Sequence, residues 1–555
     1  MTRNVLQSSL LNAGFSIIFQ ILCRFVTFGI NAFIVRNVGR DVLGVMNVRL
    51  LLLESTLLFL SREAINRAAL SATSQQKDKC SWPQLINQMW LTVPTCIALC
   101  IPCTYIWLDI LSPVDDHLKS QYKFACYSVA LSCVIELCAE APVFLTQVFC
   151  FVKLKIFLNT LHIMVRSVIF IWIVLNDQSI AINAFAIAQL ASAIVIFIGH
   201  YAFFYFYIKR FNEHKLAKIN HGQKEDEDLF KSMDDFPFKG LNELLPFRME
   251  NKESYFNPKL QILTLSFIKQ GVLKQILTEG EKYVMSMSPV LSFSEQATYD
   301  VVNNLGSLAA RFIFRPIEES SYFYFTQTLS RDVQLEKQNI EKVHEAGNVL
   351  KTLCIGVTSI GLLAFTFGQS YSHTLLLIYG GADFVAGGLP ENLLKWHCLA
   401  ICLMAVNGIT EGYMFATNTS KDIDKYNYLM AIFSISFLIL SYILTSIFGP
   451  VGFIFANCIN MFCRICYSTK YIFRQYRPLG MNPLLGIIPG NLFALSLITT
   501  GLIAKYSMIT MNSFLVHIGI GFVGVMVCLC SWGIENLDLL KLAWKKGRQL
   551  KMKKT

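Results

Sequence analysis

The feature that most constrains this chain is a succession of about fourteen apolar stretches, each long enough to cross a bilayer as a helix. They run roughly over 10–35, 42–62, 85–108, 121–146, 154–175, 180–208, 260–289, 295–328, 348–378, 393–416, 427–448, 450–473, 485–505 and 512–533. A chain with this pattern buries its surface in lipid. Composition agrees, with 54% hydrophobic and only 15% charged residues and a mean hydropathy of +0.48, against about 25% charge in soluble domains. The sequence therefore predicts an all-α polytopic membrane protein.

The seventh and eighth stretches are interrupted by charge. One long hydrophilic segment, Lys209 to Lys259 with the acidic patch Glu225–Asp228, separates the sixth from the seventh. It reads as a partly disordered cytoplasmic linker. The resulting division is a six-helix lobe over 1–208, the linker over 209–259, a second six-helix lobe over 260–473, an appended helix pair over 474–533 and a basic tail over 534–555. Shifting the first lobe by 255 residues places Phe59 on Phe314 and Glu63 on Glu318, a faint internal repeat of the kind transporters use.

Loops after even-numbered spans carry most of the loop Lys and Arg, for example Lys153, Lys155, Lys470 and Arg474, while Arg36 and Arg40 form the discordant pair. The positive-inside rule then puts both termini in the cytoplasm. The same loops account for the net charge of +11 without a nucleic-acid partner. The N-terminus reads as lacking a cleavable signal. Cysteines such as Cys96, Cys100 and Cys133 are scattered through apolar runs and fit buried thiols better than disulfides or metal ligands.

Charges inside spans are the functional signal, because an ionised group in mid-bilayer costs roughly 2.5–3.5 kcal/mol on insertion scales. The first span holds Arg24. The second holds Arg49 and Glu54, then Arg62, Glu63 and Arg67. At 100° per residue Arg49 and Arg67 share an azimuth and Arg62 does not. Snorkelling at the span end explains Arg62 and Arg67 as readily as substrate binding does. The fourth span has Glu136 and Glu140 at i, i+4, either an ion site or partners for an Arg. The fifth has His162 and Arg166 at the same spacing, and His162 reads more simply as structural. The seventh carries Lys274 and Glu279, and the eighth Arg311, Arg315 and Glu318. The basic members, Arg24, Arg49, Arg62, Arg67, Lys274, Arg311 and Arg315, with Glu63 among them, suit an anionic ligand such as a diphosphate in a cavity between the lobes. Glu54, Glu136, Glu140, His162, Arg166, Glu279 and Glu318 suit ion sites or structural pairs. Internal ion pairing of the whole set is the plainer alternative. No P-loop, HExxH or GxSxG motif is present, no cofactor or metal is expected, and the chain does not read as an enzyme.

Two address features remain. The end KMKKT, with Lys551 and Lys553, resembles a dilysine signal for retention in the endoplasmic reticulum, and the sequon at Asn418 falls in an expected cytoplasmic loop.

The run NAFIVRNVGRDVLGVMNVRLLLLESTLLFLSREAINRA, Asn31 to Ala68, closely resembles the eukaryotic Rft family. The resemblance implies a MATE/MurJ-like arrangement of two lobes, residence in the endoplasmic reticulum membrane and translocation of dolichol-diphosphate oligosaccharide for N-glycosylation. It points to Arg24, Arg49 and Arg62 as cavity residues. Membrane lipids and the lipid-linked sugar would be the partners. The alternative it leaves is an accessory protein that binds the lipid-linked sugar or its glycan-assembly enzymes.

Overall fold

The computed structural model describes residues 26, 28–74, 81–111, 114–149, 151–221, 236–246, 254–287, 291–331, 333–510, 513–537 and 541. Arg24, the acidic patch and the dilysine tail lie outside these. Among the described residues every regular element is a helix. Ten helices among the described residues are long and apolar enough to cross a membrane. The bent pair Asp116–Leu137 and Glu140–Val148, turned by 48°, makes an eleventh. The ring of Pro142 clashes with the carbonyl of Cys138 in a continuous helix, and the break falls there. Among the described residues the expected fourteen apolar spans are thus matched by eleven at most. The first expected span lies mostly outside the described residues, and the seventh and eighth form helices that do not qualify as spans by length and composition.

The chain forms two compact units, Met1–Ala297 and Thr298–Thr555. In the first, a π turn over Val45–Leu50 leads into α1 (Leu51–Ser74), followed by α2 (Trp82–Trp90), α3 (Thr92–Tyr105), α4 (Asp116–Leu137), α5 (Glu140–Val148), α6 (Val152–Asn176) and α7 (Ala181–His221). After the linker comes α8 (Pro258–Met287), which packs along α1, while α7 packs on both α4 and α6. The next helix, α9 (Phe293–Ala309), begins at the end of this unit.

Part of the linker is built into the first unit. Phe236 and Phe238 are buried in a core with Phe144, Phe204, Phe211 and Leu244. Trp82 stacks on Phe149 at 5.6 Å and meets Phe238 edge-on at 5.4 Å. Trp90 donates its indole N–H to the Leu244 carbonyl at 2.8 Å, and Asn212 donates to the Lys239 carbonyl at 2.9 Å. Three aromatic residues of a hydrophilic stretch, Phe211, Phe236 and Phe238, have no reason to stay in water when an apolar surface lies within reach.

In the second unit a π turn over Ala310–Phe314 leads into α10 (Arg315–Thr328). Then follow α11 (Ile340–Gly380), α12 (Leu389–Thr417), α13 (Ser420–Phe448), α14 (Val451–Tyr476), α15 (Asn491–Thr510) and α16 (Phe514–Glu535). Helix α12 is central, with α10, α11 and α14 against it. The core joins Phe325, Val343, Leu350, Ile409, Tyr413 and Tyr476. The last two helices pack on each other, and α15 leans on α11. Tyr371 of α11 stacks on His517 of α16 at 4.2 Å and donates its hydroxyl to the His517 carbonyl at 2.8 Å.

Candidate functional site

Two polar clusters interrupt these apolar packings, one in each unit. In the first, Arg49 sits inside the π turn and is fully buried. Its guanidinium lies over the Phe293 ring at 5.3 Å. The wider i→i+5 turn leaves backbone groups to be satisfied from outside, and the Arg49 carbonyl accepts the indole N–H of Trp107 at 2.9 Å. Underwinding here also breaks the regular 100° step. Arg49 ends buried, whereas the Arg67 side chain is 44% exposed, so the shared azimuth expected from a uniform helix does not give the two residues one environment.

Farther along α1, Arg62 donates to Glu136 at 3.1 Å and lies 3.9 Å from Glu140. Glu140 is the most deeply buried carboxylate of this group, at 1% exposure. A buried carboxylate needs a compensating cation, and the break between α4 and α5 brings both glutamates to one guanidinium. Glu63 bridges two helices, pairing with Arg67 at 2.7 Å and with Lys274 of α8 at 3.2 Å. Lys274 also lies over the Phe59 ring at 5.4 Å. Glu54 is 3.8 Å from Arg166, which donates to Gln189 at 3.0 Å. Glu279 accepts from Ser55 at 3.1 Å and pairs with Lys282 at 3.3 Å. His162 Nδ1 is 3.2 Å from the Leu158 carbonyl of its own helix, a local contact in keeping with its plainer reading. The structure thus brings Arg62 to Glu136 and Glu140, Glu63 to Arg67 and Lys274, and Glu54 to Arg166. Arg24 lies outside the described residues.

The second cluster surrounds a cavity of about 540 Å³ between α10, α12 and α14. Arg311 lies in the π turn and donates to the Asn304 carbonyl at 2.9 Å and the Ser307 hydroxyl at 2.6 Å. Arg315 pairs with Glu319 at 2.9 Å on an exposed rim. Glu318 lies across Gly408, where a Cβ would overlap its carboxylate, so α12 needs a glycine at that crossing. Deeper in, Glu411 accepts from Tyr426 at 2.6 Å, from Asn407 at 3.1 Å and from two guanidinium nitrogens of Arg464, Nε at 3.3 Å and the closer Nη2. This is a fork on a carboxylate.

Sequence reasoning singled out Arg311 and Arg315 for a cavity between the lobes and Glu318 for an ion site or structural pair, and it missed Arg464, Asn407 and Tyr426. A signal existed for Arg464, a lone arginine in the apolar run FANCINMFCRICY, thirteen residues into α14. Asn407 and Tyr426 had none, since single polar residues in apolar helices are common.

Residues 8–546 match the family model described as Rft protein. The chain belongs to the Rft family. Other members include a Drosophila melanogaster protein named Man(5)GlcNAc(2)-PP-dolichol translocation protein RFT1, 68% identical over 100% of both chains. A Xenopus tropicalis protein of the same name is 38% identical over 98% of this chain and 96% of its own. Among solved structures, this Rft chain is similar to the lipid II flippase MurJ in an inward closed conformation. The TM-score is 0.53 at 14% identity, covering 93% of this chain and 100% of that one. At that identity the likeness concerns the fold, and it agrees with the MATE/MurJ-like helical arrangement expected for an Rft protein.

Proposed function

We propose that this protein moves lipid-linked oligosaccharide across the endoplasmic reticulum membrane. Its cargo is heptasaccharide dolichol diphosphate, passed from the cytoplasmic to the lumenal leaflet for N-glycosylation. It acts as a transporter, not as an enzyme, with both termini in the cytoplasm. The observation that carries this reading is full-length likeness, at 68% identity, to a protein named for Man(5)GlcNAc(2)-PP-dolichol translocation.

The polar chemistry of the first unit supports it. Arg62, Arg67 and Lys274 have side chains 35%, 44% and 48% exposed, so a diphosphate can reach them. Their carboxylate partners are the counter-ions that a diphosphate would replace. Arg49 is fully covered in this conformation and contributes to anion binding in one that lifts Phe293 from it. Arg24 belongs to the same basic set. Arg311 and Arg315, expected in the same set, stand among carboxylates in the second unit and are left out of it.

Sidedness of heptasaccharide dolichol diphosphate in liposomes, read by an impermeant glycan-binding probe, tests the reading. Purified protein should accelerate equilibration, and Arg67→Ala combined with Lys274→Ala should slow it at least tenfold. Equal rates with and without folded protein would overturn translocation and favour an accessory role with lipid-linked sugar or its assembly enzymes.

A further inference from the structure

The cavity of the second unit carries a chemistry that a diphosphate does not use. Its cations Arg311, Arg315 and Arg464 are matched one for one by the carboxylates Glu318, Glu319 and Glu411. The first unit is matched in the same way, so charge balance alone does not tell the two sites apart. Asn407 decides the point. It is 8% exposed and lines the cavity, its Nδ2 is committed to Glu411, and among the described residues its Oδ1 has no hydrogen-bond partner. A buried acceptor of this kind calls for a donor. Phosphate oxygens only accept at neutral pH, whereas hydroxyl groups donate and accept.

The remaining walls fit the same class of ligand. Tyr322 is 39% exposed and Phe415 half-buried, so both offer ring surface to the apolar face of a sugar. Glu411, already filled by Tyr426, Asn407 and Arg464, holds the Asn407 amide in place, so that its Oδ1 does not have to be ordered on binding. The volume of about 540 Å³ lies within the usual 300–1,000 Å³ of small-molecule sites and admits more than one sugar ring.

We propose that the cavity between α10, α12 and α14 is a carbohydrate subsite, in which Asn407 accepts a hydroxyl hydrogen bond and Tyr322 and Phe415 stack on the sugar. This rests on the translocation reading above and assigns the glycan, not the diphosphate, to the second unit.

The test uses the purified full-length protein and the free heptasaccharide, without diphosphate or lipid, as the titrant in calorimetry. Wild type should bind it, and inorganic pyrophosphate in excess should not displace it. Asn407→Leu and the rim variant Tyr322→Ala should each weaken binding roughly tenfold, with thermal unfolding used to show that both are folded. Tyr322 is partly exposed, so its variant keeps the test alive should Asn407→Leu fail to fold. Absence of binding to wild type, displacement by pyrophosphate, or unchanged affinity in a folded variant would overturn the subsite. Liposome transport by wild type separates the two readings. Transport with no glycan binding sinks the subsite alone, and glycan binding without transport sinks translocation alone.

Discussion

The strongest energetic prediction concerns the Glu411–Arg464 pair. Replacing Arg464 by Leu strands a carboxylate whose side chain is 8% exposed, and breaking a buried pair by removing one partner costs about 3–5 kcal/mol. Two features reduce that here. Glu411 keeps the hydrogen bonds from Tyr426 and Asn407, and the Arg464 side chain is 28% exposed, so part of its charge was already solvated. The expected loss is about 2–3 kcal/mol. A unit of this size shifts its unfolding midpoint by about 2–4 °C per kcal/mol, so Arg464→Leu should lower it by about 4–12 °C. Arg315→Leu supplies the control. Its pair with Glu319 has side chains 70% and 67% exposed, and its loss should be worth less than about 1 kcal/mol. Adding Glu411→Gln to Arg464→Leu removes the stranded charge and should recover most of the loss. Thermal unfolding of the full chain in nanodiscs reads all four proteins. Equal shifts for Arg464→Leu and Arg315→Leu, or a double variant no better than the single, would refute the reasoning.

Two further outcomes are expected. Arg62→Gln should destabilise the first unit, because Glu140 is buried at 1% exposure and loses its cation, and adding Glu140→Gln should restore the unfolding midpoint; a double variant as unstable as Arg62→Gln would show that the pair is not what matters. Phe236→Ser together with Phe238→Ser should release the linker from its aromatic core, so that limited proteolysis cuts near residues 236–246 several times faster than in wild type, and unchanged cleavage would contradict the packing.

Much of the architecture was legible without coordinates because membrane spanning is a local property. A run of about twenty apolar residues declares itself whatever its neighbours are. Every expected span after the first coincides with helix in the described chain, and the two that fall short of the apolar count are those where charges crowd. The motif between Asn31 and Ala68 sufficed for family membership for the same reason, being read along the chain.

Partners were not legible. Glu136 and Glu140 left two options open, and the break at Cys138 and Ala139 turns both toward Arg62, 74 residues away from Glu136 in sequence. A uniform helical wheel could not foresee that the π turn at Val45–Leu50 would bury Arg49 under Phe293. The linker looked wholly hydrophilic, yet Phe236 and Phe238 find an apolar surface supplied by helices far from them in sequence. Arg464 and Glu411 lie 53 residues apart on two helices that show nothing of their pairing in composition. Hydropathy is summed over neighbours in sequence, and that sum determined that this chain folds as long apolar helices and roughly where they run. Hydrogen bonds and ion pairs act over about 3 Å between neighbours in space, so which charges are satisfied, which are covered and where a cavity opens was decided by the packing of the helices.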